Sequence, residues 1–144
     1  MREILQYPDH RLTTAAWSVK TIDESVRQIV DEMREICIEH HALGLAAPQI
    51  GETKCIIVVK YGAEYVAIVN PELSRVWPKV IDHPERCLSV EHGQVVLSVK
   101  RHKIVVVTGL DENGKPVKYK AQEFYAYALQ HEIDHLKGKL IVSG

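Results

Sequence analysis

The sequence predicts an α+β domain. Apolar residues at helical spacing occupy an early stretch of the chain, and a second helical pattern lies close to its end. Between them comes a succession of short β-branched runs separated by turn signals, one of which marks a hairpin and so antiparallel neighbours. Helices set apart from a block of strands give α+β rather than an alternating α/β order. At 144 residues the chain can bury one proper core. No repeat, low-complexity tract or linker divides it, so one domain over residues 1–144 is expected.

Thr21-Ile22-Asp23-Glu24 has the form of a capping box opening the first helix. Val26, Ile29, Val30, Met33, Ile36 and Cys37 follow as an amphipathic stripe. That helix gives out between residues 40 and 44. Residues 44–51, Gly-Leu-Ala-Ala-Pro-Gln-Ile-Gly, are too rich in small residues, Gly and Pro for a regular element. Strands are expected over residues 54–60, 65–69, 95–99 and 104–108. Asp111-Glu112-Asn113-Gly114 then turns the chain into a returning strand over 117–120. From about residue 121 the period becomes helical, with Phe124, Tyr127, Ala128, His131 and His135 on one side. Such a face, apolar first and imidazole-bearing last, suits a helix buried against a sheet with a site at its edge.

Bulk properties exclude several classes of function. The chain is 46% hydrophobic and 26% charged, with a formal net charge of -1, which gives no electrostatic reason to expect nucleic acid or an anionic membrane as partner. No apolar run spans a bilayer, and the first residues form neither a signal-peptide core nor a transit peptide. A cytoplasmic location is the expectation. Three cysteines without an export signal argue against a disulfide framework. Cys37 and Cys55 sit in apolar patterns and are expected to be buried, whereas Cys87 has polar neighbours.

The chemistry lies in Gln130-His131-Glu132-Ile133-Asp134-His135-Leu136. Two histidines four apart on a helix stand one turn apart on one face, where both can grip a single metal ion, and Glu132 stands close enough to exchange protons with a water on that ion. A hydrolytic centre of this type needs a third protein ligand and an open position. Candidates are Cys87, Glu85, His83 and the pair His40 and His41. The last two point about 100° apart on a helix and suit a solvated C-terminal end instead. His83 and Glu85, flanking Pro84, are expected in an exposed loop. Cys87 has a second reading, as a nucleophile paired with a histidine. Asp134 is expected to orient a neighbour by pairing with Arg101.

Three segments in order, Gly44-Leu45-Ala46-Ala47-Pro48-Gln49, Glu85-Arg86-Cys87-Leu88-Ser89 and Gln130 to Leu136, resemble the three signature motifs of the peptide deformylase family, and residues 4–12 resemble its N-terminus. The resemblance implies antiparallel β-sheets packed around a central metal-binding helix, with an N-terminal helix. It implies that Cys87, His131 and His135 bind one divalent metal ion, Fe(II) first and Zn(II), Ni(II) or Co(II) as other occupants. It implies attack by water on the formyl carbon of N-formyl-methionyl nascent peptides, with Glu132 passing the proton to the departing amine. The resemblance likewise assigns the oxyanion to the Gln49 side-chain amide and the Leu88 N–H. The peptide lies extended beside Gly44, and Leu43, Tyr127 and Ala128 line a pocket for the methionine side chain.

The family usually has Gly where this chain has Arg86 and Ala42. If the position of Arg86 requires positive φ, Arg strains the ligand loop; if it is extended, Arg shapes the cleft mouth. The chain shows no C-terminal helix of the kind that docks on the ribosome, so transient ribosome proximity at most is expected; a monomer is the separate expectation for its assembly. The alternatives are a metallopeptidase cutting internal peptide bonds and a fold that keeps its metal only to bind or to brace.

Overall fold

The early apolar stripe forms α1 (Glu24–His40), and all six stripe residues are buried. In this computed structural model, which describes residues 3–143, the helix begins after Asp23, whose carboxylate accepts from the Val26 N–H at 3.3 Å. The start is therefore later than the capping box at Thr21 implied. With Asp23 as the cap, Glu24 is the first helical residue and cannot reach back as the box requires. Met1, Arg2 and Gly144, at the ends of the expected domain, lie outside the described residues. At the other end His41 takes the left-handed conformation (φ 51) and closes the helix with its own N–H.

Beyond α1 the chain enters a three-residue strand, β1 (Gly44–Ala46), which pairs with β2 (Ile56–Tyr61) through Gly44↔Val59, Leu45↔Val58 and Ala46↔Ile57. Its composition gave no sign of regularity. The order comes from the partner strand, and a 3-10 turn over Ala47–Ile50 follows at once. With β3 (Glu64–Val76), β6 (Ile104–Leu110) and β7 (Pro116–Gln122), these strands make an antiparallel sheet in the order β1-β2-β3-β6-β7. The Asp111–Gly114 turn joins β6 to β7, and the Asp111 side chain accepts from the Asn113 and Lys115 N–H groups. β3 runs well past its expected end because the pairing shifts register beyond Val69, where Asn70 (φ 52) clasps the Val19 backbone.

The second helix, α2 (Phe124–Leu136), lies across the opposite face of this sheet from α1. β2 shows the consequence: Ile56 and Val58 pack into the α1 core, Ile57 and Val59 into the α2 core. A strand covered on both sides must be apolar at every position, which is the run that the sequence shows. Each such buried side chain contributes about 1.5–3 kcal/mol of transfer free energy.

A separate two-stranded sheet, β4 (Val80–Glu85) with β5 (Leu97–His102), holds the segment expected to be an exposed loop. Glu85 is buried and His83 half-buried. Pro84 is tolerated because a two-stranded ribbon leaves one edge of β4 with no ladder bond to lose. A third core of Leu12, Cys87, Val90, Leu140 and Ile141 ties the loop after β4 to both ends of the chain. No helix among the described residues is long and apolar enough to cross a membrane.

Candidate active site

α2 is buried on most of its circumference, and its Gln130 amide fixes its rotation by bonding both the N–H and the carbonyl of His102 in β5 (2.9 and 2.8 Å). With that rotation set, His131 and His135 come one turn apart with ring centres at 5.1 Å, facing the loop that leaves β4. Cys87 Sγ lies 3.2 Å from His135 Nε2, and one ligand atom from each of Cys87, His131 and His135 falls within 4.8 Å of the others. Bonds of about 2.3 Å to sulfur and 2.0 Å to nitrogen give a tetrahedral S–N edge of roughly 3.5 Å. A soft thiol and two imidazoles at this spacing are a donor set that fits one transition-metal ion. Beside the cluster the buried Glu132 Oε1 has no hydrogen-bond partner in the protein, as befits a polar site completed by something other than protein.

Glu85, a candidate ligand on sequence, does a different job. Its carboxylate accepts two bonds from Arg101 (2.8 and 2.7 Å) and one from His131 Nδ1 (2.8 Å). A carboxylate held above its pKa only accepts, so His131 carries a proton on Nδ1, and once the ring is neutral, as a metal ligand must be, Nε2 is the nitrogen left with the lone pair. Arg101 also donates to Asp134 at 2.6 Å, the pairing expected for that residue. Glu85 pays for burial with these bonds: desolvation would raise its pKa, but Arg101 and His131 drive it well below the usual carboxylate range.

The two rings differ in charge preference. Burial disfavours the cation on both, but Glu132, Cys87 and Glu85 outweigh it for His131 and raise its pKa to about 10. His135 has no such compensation, and burial, with His131 and Arg101 nearby, lowers its pKa well below the usual value. Burial also pushes Glu132 up to about 7, against the pull of His131.

Gln49 is buried at the end of the 3-10 turn after β1. Its Oε1 accepts from the Ala46 N–H (2.9 Å), so its NH2 group must face the other way, toward Ser89 Oγ at 3.1 Å and Cys87 Sγ at 3.8 Å. Gly44 faces Glu132: a Cβ there would stand 2.8 Å from Glu132 Oε2. A cavity of about 640 Å³ joins these groups, lined by Gln49, Cys87, Leu88, His131 and Glu132 within and by Leu43, Gly44, Tyr127 and Ala128 along one wall.

The residues that the sequence pointed to for metal, proton transfer, oxyanion and substrate therefore all border this cavity or the cluster at its floor, while Asp134 and Arg101 stand behind it. His40 and His41 reach only its exposed rim, and no ligand group among the described residues includes them. Phe124 does not share the burial of its helix face; it is 64% exposed at the mouth. Cys37 is buried as expected, whereas Cys55 is only partly so. Arg86 is exposed at the mouth and is absent from the residues with positive φ, so its side chain brings no strain to the ligand loop. Sequence reasoning missed the orienting role of Glu85 and the Ser89 hydroxyl on Gln49. Their place inside the second motif was the available signal.

A family model described as polypeptide deformylase matches residues 1–144. The peptide deformylase of Dictyoglomus thermophilum is 39% identical over 142 residues, covering 99% of this chain and 91% of that protein. The crystal structure of a peptide deformylase from Legionella pneumophila superposes with a TM-score of 0.93 at 38% identity, covering 99% of this chain and 84% of the other. One from Synechococcus elongatus, in complex with actinonin, gives 0.92 at 35% identity, covering 98% and 76%. The chain belongs to the polypeptide deformylase family, metal-dependent hydrolases that remove the N-formyl group from the N-terminal methionine of nascent polypeptides.

Proposed function

We propose that Cys87, His131 and His135 hold one divalent metal ion, that Glu132 carries the proton, and that the Gln49 amide and Leu88 N–H receive the oxyanion as this chain deformylates formyl-methionyl peptides. One observation supports this above the others. Glu132 is buried with Oε1 unpartnered, in the same cavity as the Cys87 thiol and the Gln49 NH2 group. A centre that only braced the fold would have no use for a buried, unpaired carboxylate beside its ligands.

When bound, the metal supplies Lewis acidity that acidifies a water and polarises the formyl oxygen. Fe(II) is the proposed ion, and Zn(II), Ni(II) and Co(II) suit the same thiolate and imidazole donors. Glu132 accepts the proton of the attacking water and gives it to the leaving amine. Gln49 donates without competing as a metal ligand, because its amide is uncharged and its oxygen is turned to the Ala46 N–H. β1 is an edge strand, so an extended peptide can add beside Gly44 through backbone bonds that ignore sequence. The methionine side chain then enters between Leu43, Tyr127 and Ala128. The missing side chain at Gly44 leaves Glu132 its place.

The test is formate release from a formyl-methionyl tripeptide by protein purified without oxygen and loaded with Fe(II). Release is expected from the parent and lost in Glu132→Ala with metal content unchanged. Equal release by both proteins would remove Glu132 from the mechanism, and none from the loaded parent would overturn the whole reading.

A further inference from the structure

Gln49 and Leu88 sit on separate segments, yet both segments are held by the same three residues near the N-terminus. The Leu5 N–H donates to the Gln49 carbonyl and the Tyr7 N–H to the Ser89 carbonyl, each at 2.7 Å. Between them Gln6 Nε2 donates to the Leu88 carbonyl at 2.7 Å, while Gln6 Oε1 accepts from the His92 N–H at 3.0 Å. Because a peptide unit is planar, the direction of the Leu88 N–H is that of the plane it shares with the Cys87 carbonyl. That carbonyl accepts from the Val90 N–H at 2.9 Å. The next two planes, carrying the Leu88 and Ser89 carbonyls, are pinned by Gln6 and Tyr7. Three successive planes around the ligand loop are thus fixed, two of them from residues 6 and 7.

The turn that follows needs such a hold. Glu91, His92 and Gly93 are all left-handed, with φ of 48, 52 and 81. That conformation strains a non-glycine residue and persists only where the surroundings impose it. The Gln6 oxygen on the His92 N–H is one such contact, and the same side chain reaches back to Leu88.

We propose that Gln6 is a positioning residue for the oxyanion pocket, its amide holding the Leu88–Ser89 peptide plane that adjoins the one from which the Leu88 N–H projects. This rests on the reading of Gln49 and Leu88 given above. A side chain that merely stapled the N-terminus to the body would add to melting temperature and metal retention without acting on turnover alone.

Two variants of the full, metal-loaded protein separate these roles. Gln6→Met removes the contacts to Leu88 and His92 together with a longer local one, from Nε2 to the Ile4 carbonyl at 3.3 Å. Gln6→Glu keeps the acceptor for His92 and sets an oxygen against the Leu88 carbonyl. The measurements are kcat and KM for formate release from formyl-Met-Ala-Ser, the inhibition constant of the product Met-Ala-Ser, metal content and melting temperature. Gln6→Met is expected to lower kcat about tenfold, a part of what loss of a whole oxyanion donor costs, with KM and product affinity within about twofold. Gln6→Glu is expected to fall further, at unchanged metal content. Parental kcat in both variants, in a background where Gln49→Ala is slow, would overturn the proposal alone. A fall in kcat matched by equal loss of metal or of product affinity would reduce Gln6 to a staple and overturn it too. An inactive parent, or a Gln49→Ala variant as fast as the parent, would instead overturn the oxyanion reading beneath it.

Discussion

Replacing Gly44 with alanine tests the closest approach in the site. The added Cβ would lie 2.8 Å from Glu132 Oε2, 3.0 Å from its Cγ and 3.1 Å from the Val58 carbonyl oxygen. Ordinary contact begins near 3.4 Å, so the carboxylate must retreat by about 0.6 Å, since the Val58 oxygen belongs to paired backbone and cannot yield as easily. Displacements approaching 1 Å in a positioned catalytic group cost up to about a hundredfold, so kcat for formate release should fall between about tenfold and a hundredfold. Overpacking of this size should also cost about 1–3 kcal/mol of stability. A double-mutant cycle with Glu132→Asp locates the cause. The shorter side chain draws back by one methylene, so Gly44→Ala should cost less stability in that background, with a coupling of about 1 kcal/mol. Formate release at fixed metal loading and urea denaturation supply both readings. A Gly44→Ala protein with kcat within twofold of the parent would refute the steric argument, and so would a stability cost independent of residue 132.

Three further outcomes follow from the same site. Arg101→Met leaves Glu85, 5% exposed, without its bidentate partner; stability should drop by about 3–5 kcal/mol in urea denaturation, and a loss under 1 kcal/mol would deny Arg101 its role. Arg86→Gly should shift stability by no more than about 0.5 kcal/mol and leave metal content unchanged, because Arg86 takes no glycine-like conformation; a gain of 1 kcal/mol or more would expose strain that the backbone does not show. In metal-free protein, burial raises Glu132 from 4.5 to about 7. The folded chain then binds a proton that the unfolded chain releases, so this stabilisation is complete below about pH 4.5 and is lost as pH rises through 7. Glu132→Gln stays neutral throughout, so after chelation it should exceed the parent by about 3 kcal/mol at pH 8 and by under 1 kcal/mol at pH 5. A pH-independent difference in melting would rule out the linkage.

Legibility in the sequence followed the range of the interaction. The α1 stripe and the two histidines of α2 are local, repeating patterns, and both emerged with the faces the spacing required. The Asp111–Gly114 hairpin was legible for the same reason, since its turn is satisfied by its own Asp111 side chain. β1 and β4 were not legible. Gly44–Ala46 becomes a strand only by pairing with Val59, Val58 and Ile57, and Val80–Glu85 only by pairing with β5, so no window confined to either segment contains the signal. Glu85 shows the cost: placed in an exposed loop, it lost its two distant partners, Arg101 and His131. Gln6 is more distant still, acting on Leu88 across 82 positions.

These distances bear on how the centre is assembled. His131 and His135 share one helix turn, so α2 alone brings them together. Cys87 meets His135 across 48 positions, and its place depends on the β4–β5 ribbon and on the Leu12, Cys87, Val90, Leu140 and Ile141 core. Glu85 sits in β4 two residues before Cys87 and bonds His131 and Arg101 at once. The same strand end therefore carries Cys87, the proposed third ligand, and orients His131. Because Arg101 lies on β5, directly opposite Ile81 and bonded to both Glu85 and Asp134, a single guanidinium locks the ribbon to α2. A buried ion network of this kind gains little net stability over an apolar replacement, since desolvation offsets most of its attraction. What it does supply is one register between ribbon and helix, and that register is the condition for Cys87 Sγ to stand 3.2 Å from His135 Nε2. The charge cluster is best understood as the device that fixes the geometry of the ligands, with hydrophobic burial on either side of β2 carrying the stability that makes it affordable.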